Sequence, residues 1–134
     1  MKQVFVDTSG FYAFIDSDDR LHQKACTLFE KATEESWKLV TTNYIITETH
    51  ALILSRLGRK LALGYLQGIF DGSTLVERAT EKDENNALDL LLVHKDKDYS
   101  FCDAISFIIM ERLNISEAIA FDSHFYQYRK FIIL

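Results

Sequence analysis

The sequence contains no proline, only two cysteines and no long apolar segment. Proline makes up about 5% of average proteins, but its absence carries no functional implication here. The two cysteines, Cys26 and Cys102, lie far apart and form no zinc-ligand pattern, which excludes a disulfide framework and a zinc knuckle. We therefore expect a protein of a reducing compartment.

No stretch of the sequence approaches the ~18 consecutive apolar residues of a membrane span. The apolar run near the amino terminus is too short for a secretory signal peptide. Acidic residues outnumber basic ones by 20 to 15, giving a formal net charge of −5. That balance excludes binding of nucleic acid through bulk positive charge, but not a nuclease whose metal ions reverse the local sign of charge. We expect a cytoplasmic protein with no membrane partner.

The apolar pattern predicts one α/β domain spanning residues 1–134, with a single core. Short β-branched or aromatic runs predict about five strands, at 3–6, 38–41, 73–77, 117–121 and 130–134. Helical periodicity predicts helices at 18–36, 42–57, 59–71, 82–93 and 100–113. This alternation predicts a central parallel sheet covered by helices on both faces.

Two of the predicted strands end in an aspartate, Asp7 and Asp122. Ligands of open parallel sheets bind beyond the carboxyl ends of the strands. If these strands are neighbours, the two carboxylates lie within several ångströms of each other and need a cation between them. The alternative for Asp7 is a capping role at a helix that begins near Ser9, because aspartate is a preferred N-cap residue.

Two further acids belong to predicted helices. Glu48 lies on a largely apolar helix face, where a charge is expensive to bury; the alternative is that it reaches water or pairs with Arg56 or Lys60. Asp103 forms an S-x-x-D pattern with Ser100 that is typical of a capping box, but it also lies on the face directed at the body of the protein. Together the four acids form a set of hard oxygen ligands suited to Mg²⁺ or Mn²⁺ and to phosphoryl chemistry.

Four segments of the chain resemble the PIN-domain family, most closely its VapC-like toxin-type ribonucleases. They are "VFVDTSGFYAFID", "TTNYIITETHALI", "YSFCDAISFIIMERLNISEAIAFDSHF" and "FIIL". The resemblance implies a three-layer α/β/α sandwich and a Mg²⁺- or Mn²⁺-dependent endoribonuclease acting on single-stranded RNA, with 5′-phosphate and 3′-hydroxyl products. It also implies a homodimer and, in many members, a small antitoxin partner that covers the site with a basic segment.

Residue by residue, the resemblance implies that Asp7, Asp103 and Asp122 bind the metal directly or through water. Glu48 would orient or deprotonate the attacking water, or support a second ion. Thr8 would hold the first carboxylate or a substrate phosphate. His124 is either a structural hydrogen-bonding residue or a contact to substrate.

Several other residues keep two interpretations. Asp96 and Asp98 either assist the metal site or belong to a solvated loop. Five basic residues form either a rim that guides RNA or an ordinary mixed-charge surface: Arg56, Arg59, Lys60, Lys95 and Lys97. Three tyrosines are candidates for base stacking by position alone: Tyr99, Tyr126 and Tyr128.

Two other classes of function stay open at this point. The first is a PIN-fold module that binds RNA or protein without cutting, and the intact set of four acids argues against it. The second is a phosphatase or phospho-acceptor domain with Asp7 as nucleophile. The residues that follow, "TSGF", lack a second aspartate two positions on that would serve as general acid.

Overall fold

The computed structural model describes residues 1–128 and 130–134 and has a five-stranded parallel sheet at its centre. The strands are β1 (Gln3–Val6), β2 (Lys38–Thr42), β3 (Leu75–Glu77), β4 (Glu117–Ile119) and β5 (Ile132–Ile133). Their order across the sheet is β3-β2-β1-β4-β5, and every pairing is parallel. The predicted α/β sandwich with about five parallel strands is confirmed.

Seven helices within the described residues connect and cover the strands. They are α1 (Thr8–Ile15), α2 (His22–Glu34), α3 (Asn43–Leu57), α4 (Arg59–Asp71), α5 (Glu81–Val93), α6 (Phe101–Arg112) and α7 (Ser123–Tyr128). The helix predicted from residue 18 begins later because Asp16 and Asp19 accept hydrogen bonds from the backbone two residues on, forming turns instead. Helix α7 was not predicted, because it is too short to show a helical period.

Strand β1 lies at the middle of the sheet and determines where a ligand can bind. Phe5 pairs with Val40 of β2 on one side and with Ala118 of β4 on the other. The chain leaves β1 for β2 on one side, and returns to β4 on the opposite side only after β3. Such a reversal of strand order opens a crevice at the carboxyl ends of the two diverging strands. The fold therefore provides a crevice directly beyond β1 and β4.

A cluster of aromatic rings fixes α6 and α7 beside this crevice. The Phe107 ring of α6 stacks on Tyr128 of α7 at 4.2 Å between centroids and meets Phe125 edge-on at 4.9 Å. Phe125 in turn contacts Phe5 of β1 at 6.1 Å. Because such pairs add to the free energy gained by burial, the two helices are held against the sheet in a defined position.

Helix α1 approaches β4 very closely at Gly10. A β-carbon built on Gly10 would lie 2.7 Å from the carbonyl oxygen of Ile119, a distance that requires the backbone to move. Glycine at this position therefore lets α1 pack directly on the end of β4.

None of the helices within residues 1–128 and 130–134 is long and apolar enough to cross a membrane.

Candidate active site

Asp7 follows β1 directly and occupies the floor of the crevice. Its backbone N–H donates to the carbonyl of Ile119 (3.1 Å), which extends the pairing of β1 with β4. Its Oδ2 accepts hydrogen bonds from the backbone N–H and the hydroxyl of Ser9, at 3.2 and 2.7 Å. Asp7 is thus the N-cap of α1. The side chain is only 3% exposed, so this cap is also a carboxylate buried at the end of the central strand.

Burial changes the acidity of Asp7. The pKa of its carboxyl is raised from 3.8 to about 7, chiefly by desolvation; the two hydrogen bonds from Ser9 oppose the rise, and the charges of Asp103 and Asp122 add to it. An ionised Asp7 is therefore costly without a nearby cation. This environment favours a bound positive charge.

Ser9 ties the ends of β1 and β4 together. Its hydroxyl donates to Asp7 and accepts hydrogen bonds from the backbone N–H groups of Phe121 (2.8 Å) and Asp122 (3.2 Å). One donor and two acceptor positions are the full capacity of a hydroxyl. Ser9 was not predicted as a site residue. Its only signal in the sequence is a hydroxyl two positions after an aspartate that follows a strand.

Asp103 combines a capping role with a place in the crevice. It forms a capping box with Ser100, in which each side chain accepts from the other residue's backbone N–H at 3.0 Å. The same Oδ2 lies 2.6 Å from Nδ1 of His124. Because both contacts that the described residues make with this carboxylate go to Oδ2, Oδ1 stays available for an ion. The geometry is therefore compatible with both predicted roles of Asp103, helix capping and ion binding.

His124 stands between Asp103 and Asp122. Its backbone N–H donates to Asp122 Oδ1 (2.8 Å), and its Nδ1 lies 3.6 Å from the same oxygen. Burial lowers the pKa of the imidazole, but the hydrogen bond that its ring donates to Asp103 and the charges of Asp103 and Asp122 outweigh this effect and raise the pKa overall. One ligand atom of each of these three residues lies within 4.8 Å of the others, a spacing compatible with a shared cation.

Glu48 and Thr8 are not among the three residues whose ligand atoms lie within 4.8 Å of one another. Glu48 is exposed on α3 and lines the same cleft as Asp7 and Asp122, so the interpretation in which it reaches water fits the structure. Thr8 is buried and its hydroxyl accepts a hydrogen bond from that of Thr49 (3.2 Å). The hydroxyl that holds the Asp7 carboxylate belongs to Ser9 instead.

The cleft has a volume of about 360 Å³ and a mixed lining. Asp7, Glu48 and Asp122 line it together with Arg20 and Arg56. Arg56 is therefore the one residue of the predicted basic rim that lines this cleft among the described residues. Of the tyrosines considered for stacking, Tyr99 and Tyr128 are buried, whereas Tyr126 is 70% exposed.

The donor set suits a hard divalent cation. Carboxylate oxygens are the ligands that Mg²⁺ and Mn²⁺ prefer, and the high pKa of Asp7 reflects a buried charge that a cation would neutralise. The charge of Asp98 adds to the rise in the pKa of His124, while the exposed Asp96 pairs with Lys97 at 3.8 Å. The solvated-loop interpretation therefore fits Asp96.

A family model described as "PIN domain" matches residues 4–131. The chain belongs to the PIN domain family. This PIN domain is 32% identical over 122 residues, 91% of each chain, to the 23S rRNA-specific endonuclease VapC20 of Mycobacterium tuberculosis. The VapC-like resemblance drawn from the sequence is thereby confirmed.

Solved structures agree with this assignment. The crystal structure of Mycobacterium tuberculosis VapC20, described as a Sarcin-Ricin loop cleaving toxin, matches the PIN domain with a TM-score of 0.91 and 30% identity over 98% of each chain. VapBC2 from Rickettsia felis, crystallised with a DNA fragment, matches with a TM-score of 0.68 over 98% of this chain and 97% of that one. Its 12% identity supports the fold alone.

Proposed function

We propose that this PIN domain is a Mg²⁺- or Mn²⁺-dependent endoribonuclease. The observation that carries the proposal is the convergence of Asp7 and Asp122, which follow β1 and β4, with Asp103 from the first turn of α6, together with a raised pKa at Asp7 to which both neighbouring charges contribute. The similarity to an rRNA-specific endonuclease supports RNA as the substrate. A ribosomal RNA loop is the first target to test, because the structurally similar VapC20 is described as cleaving the Sarcin-Ricin loop. Because the proposed substrate is ribosomal RNA, we also infer a cytoplasmic location.

The site residues would have different roles, which follow from where each one lies. Asp7, Asp103 and Asp122 would hold the divalent ion, which supplies Lewis-acid polarisation of the scissile phosphate and a more acidic bound water. Glu48, exposed on α3 where it lines the cleft, would orient or deprotonate the attacking water or support a second ion. Ser9 fixes the distance between the Asp7 and Asp122 ends through its three hydrogen bonds. His124 orients the Asp103 carboxylate by donating to it.

A nucleophilic role for Asp7 is less well supported. The carboxylate is 3% exposed and bound by Ser9, whereas a nucleophile must meet the phosphorus directly. A general acid two residues after Asp7 would stand at position 9. That position is a serine, which donates hydrogen bonds to the Asp7 carboxylate.

The test is cleavage of ribosomes and of purified rRNA by the protein with Mg²⁺, with Mn²⁺ and with EDTA. Asp103→Asn should lose activity, because the amide keeps the shape and an acceptor for the cap but lacks the charge that binds the ion. Asp89→Asn, an exposed change on α5, is the matched control. Equal cutting by Asp103→Asn would indicate a contaminating nuclease. RNA binding without cutting would favour the non-cleaving module.

We also propose a homodimer and an antitoxin partner, on the basis of the resemblance to VapC-like toxins. The whole chain, residues 1–134, would act as one domain in that assembly. Light scattering of the purified protein would test the dimer, since a mass of one 15.5 kDa chain would contradict it. Co-purification with the product of a neighbouring gene, with loss of cleavage in the complex, would test the partner.

A further inference from the structure

Two arginines share the cleft with the acidic residues. Arg56 lies in the last turn of α3 and Arg20 in the connection between α1 and α2, and both line the cleft that contains Asp7 and Asp122. Glu48, Leu52 and Arg56 follow one another at four-residue intervals along α3, so they form a single stripe facing the cleft. At 1.5 Å per residue, Arg56 stands about 12 Å along the helix from Glu48.

The guanidinium of Arg56 is held in place by its neighbours. It lies 5.3 Å from the ring centroid of Tyr12, a distance at which a cation is attracted to the ring face. The Tyr12 hydroxyl donates to Asp16 Oδ2 at 2.8 Å, which fixes the ring. Arg56 therefore rests on an ordered aromatic surface at the edge of the cleft, although the side chain is exposed.

Neither arginine is neutralised by a salt bridge to a carboxylate of the described part of the chain. Arg112 provides the contrast, because its guanidinium pairs with Asp83 at 2.9 Å and with Glu77 at 3.0 Å. The protein has a net charge of −5, yet two guanidinium groups without such partners lie beside a set of carboxylates. The cleft therefore carries both positive and negative charge. A ligand suited to it carries anionic groups at intervals, some bound through the metal and some bound directly.

We propose that Arg56, assisted by Arg20, binds a phosphate of the RNA strand near the one that is cleaved. The inference rests on the proposed ribonuclease function and adds the path of the strand, from the acidic residues along α3 towards its carboxyl-terminal end. A guanidinium binds phosphate oxygens with two parallel hydrogen bonds. These arginines are phosphate-binding residues that position the strand.

The experiment measures cleavage of a single-stranded RNA that the wild-type protein cuts, over a series of salt concentrations. Arg56→Gln should raise KM about fivefold near 0.1 M salt with kcat nearly unchanged, because one neutralised phosphate contributes a salt slope of about 0.7 in log K for single strands. The slope itself should fall by about 0.7. Arg56→Lys should keep the slope, and the double variant with Arg20→Gln should lower it further.

Arg59→Gln is the matched control, since Arg59 is exposed at the start of α4 and does not line the cleft. Unchanged KM and salt slope in Arg56→Gln, with wild-type protein cutting normally, would overturn this inference and leave the proposed function standing. An equal effect of Arg59→Gln would also overturn it, because a general charge effect would then explain the data. A wild-type protein that neither binds nor cuts RNA would overturn both proposals.

Discussion

Replacing Asp7 with asparagine should stabilise the metal-free protein while abolishing cleavage. The carboxyl is buried and its pKa lies at about 7 instead of 3.8, chiefly because of desolvation. The ionised form is therefore less stable in the folded protein than in the unfolded chain. Asparagine keeps an oxygen that can accept from Ser9 but carries no charge, so it removes this penalty together with the ability to bind an ion.

The size of the effect follows from the two pKa values. A difference between about 7 and 3.8, at 1.36 kcal/mol per pKa unit, sets an upper limit of ~4 kcal/mol. The folded state binds the proton more tightly, so the wild-type protein loses stability as pH rises from about 4 to about 7. The gain from Asp7→Asn should accordingly be small near pH 4, grow across this range and level off above it.

Urea unfolding of wild type and Asp7→Asn, near pH 5 and near pH 8 in EDTA, measures this directly. We expect the variant to be more stable by about 2–4 kcal/mol near pH 8 and by roughly half as much near pH 5. Saturating Mg²⁺ near pH 8 should narrow the difference, because only the wild type gains binding free energy. Asp89→Asn, on the exposed face of α5, should show no such pH dependence. An Asp7→Asn protein that is no more stable than wild type near pH 8 would refute the reasoning.

Two further predictions concern the framework of the site. Gly10→Ala should destabilise the protein by about 1–3 kcal/mol and reduce cleavage, since its β-carbon would meet the Ile119 carbonyl. Gly64→Ala, which has open space around it, should have neither effect. Thermal unfolding of the two variants tests the difference in stability. Arg112 and the Thr80 backbone lower the pKa of Asp83 despite its burial, so this pair stabilises the fold fully above about pH 4 and loses its effect as pH falls through the folded pKa. Asp83→Asn should therefore cost about 1–3 kcal/mol in urea unfolding at neutral pH and progressively less in acid, and a constant cost down to about pH 2 would contradict this account.

The strand ends were the part of the site that the sequence revealed best. Asp7 and Asp122 follow short apolar strands, and the parallel arrangement of strands brings such positions to one edge of the sheet. The hydrogen bonds of Ser9 could not be predicted, because the hydroxyl binds residues more than a hundred positions away. Helix periodicity placed Glu48 on an apolar face, whereas the structure exposes it at the cleft, where α3 is not covered.

The aromatic residues were harder to interpret from the sequence. Tyr99 and Tyr128 look like candidates for base stacking because they lie near the acidic residues in the chain. In the structure both are buried among the rings around Phe107, and the Tyr128 hydroxyl donates to Glu111. Sequence position cannot distinguish a tyrosine that packs in the core from one that meets a ligand, because both combine an apolar ring with a polar end.

The bonds from Phe121 and Asp122 to Ser9 also bear on when the enzyme becomes active during its synthesis. The first of them joins residues 112 positions apart, so Asp7 and Ser9 are synthesised long before the residues that complete the crevice. Contacts of such long range form late in folding. A growing chain would therefore hold Asp7 without its partners until β4 and α7 had been made. For an enzyme proposed to cut ribosomal RNA, this order would keep the ribosome that is translating it away from an assembled site during most of elongation.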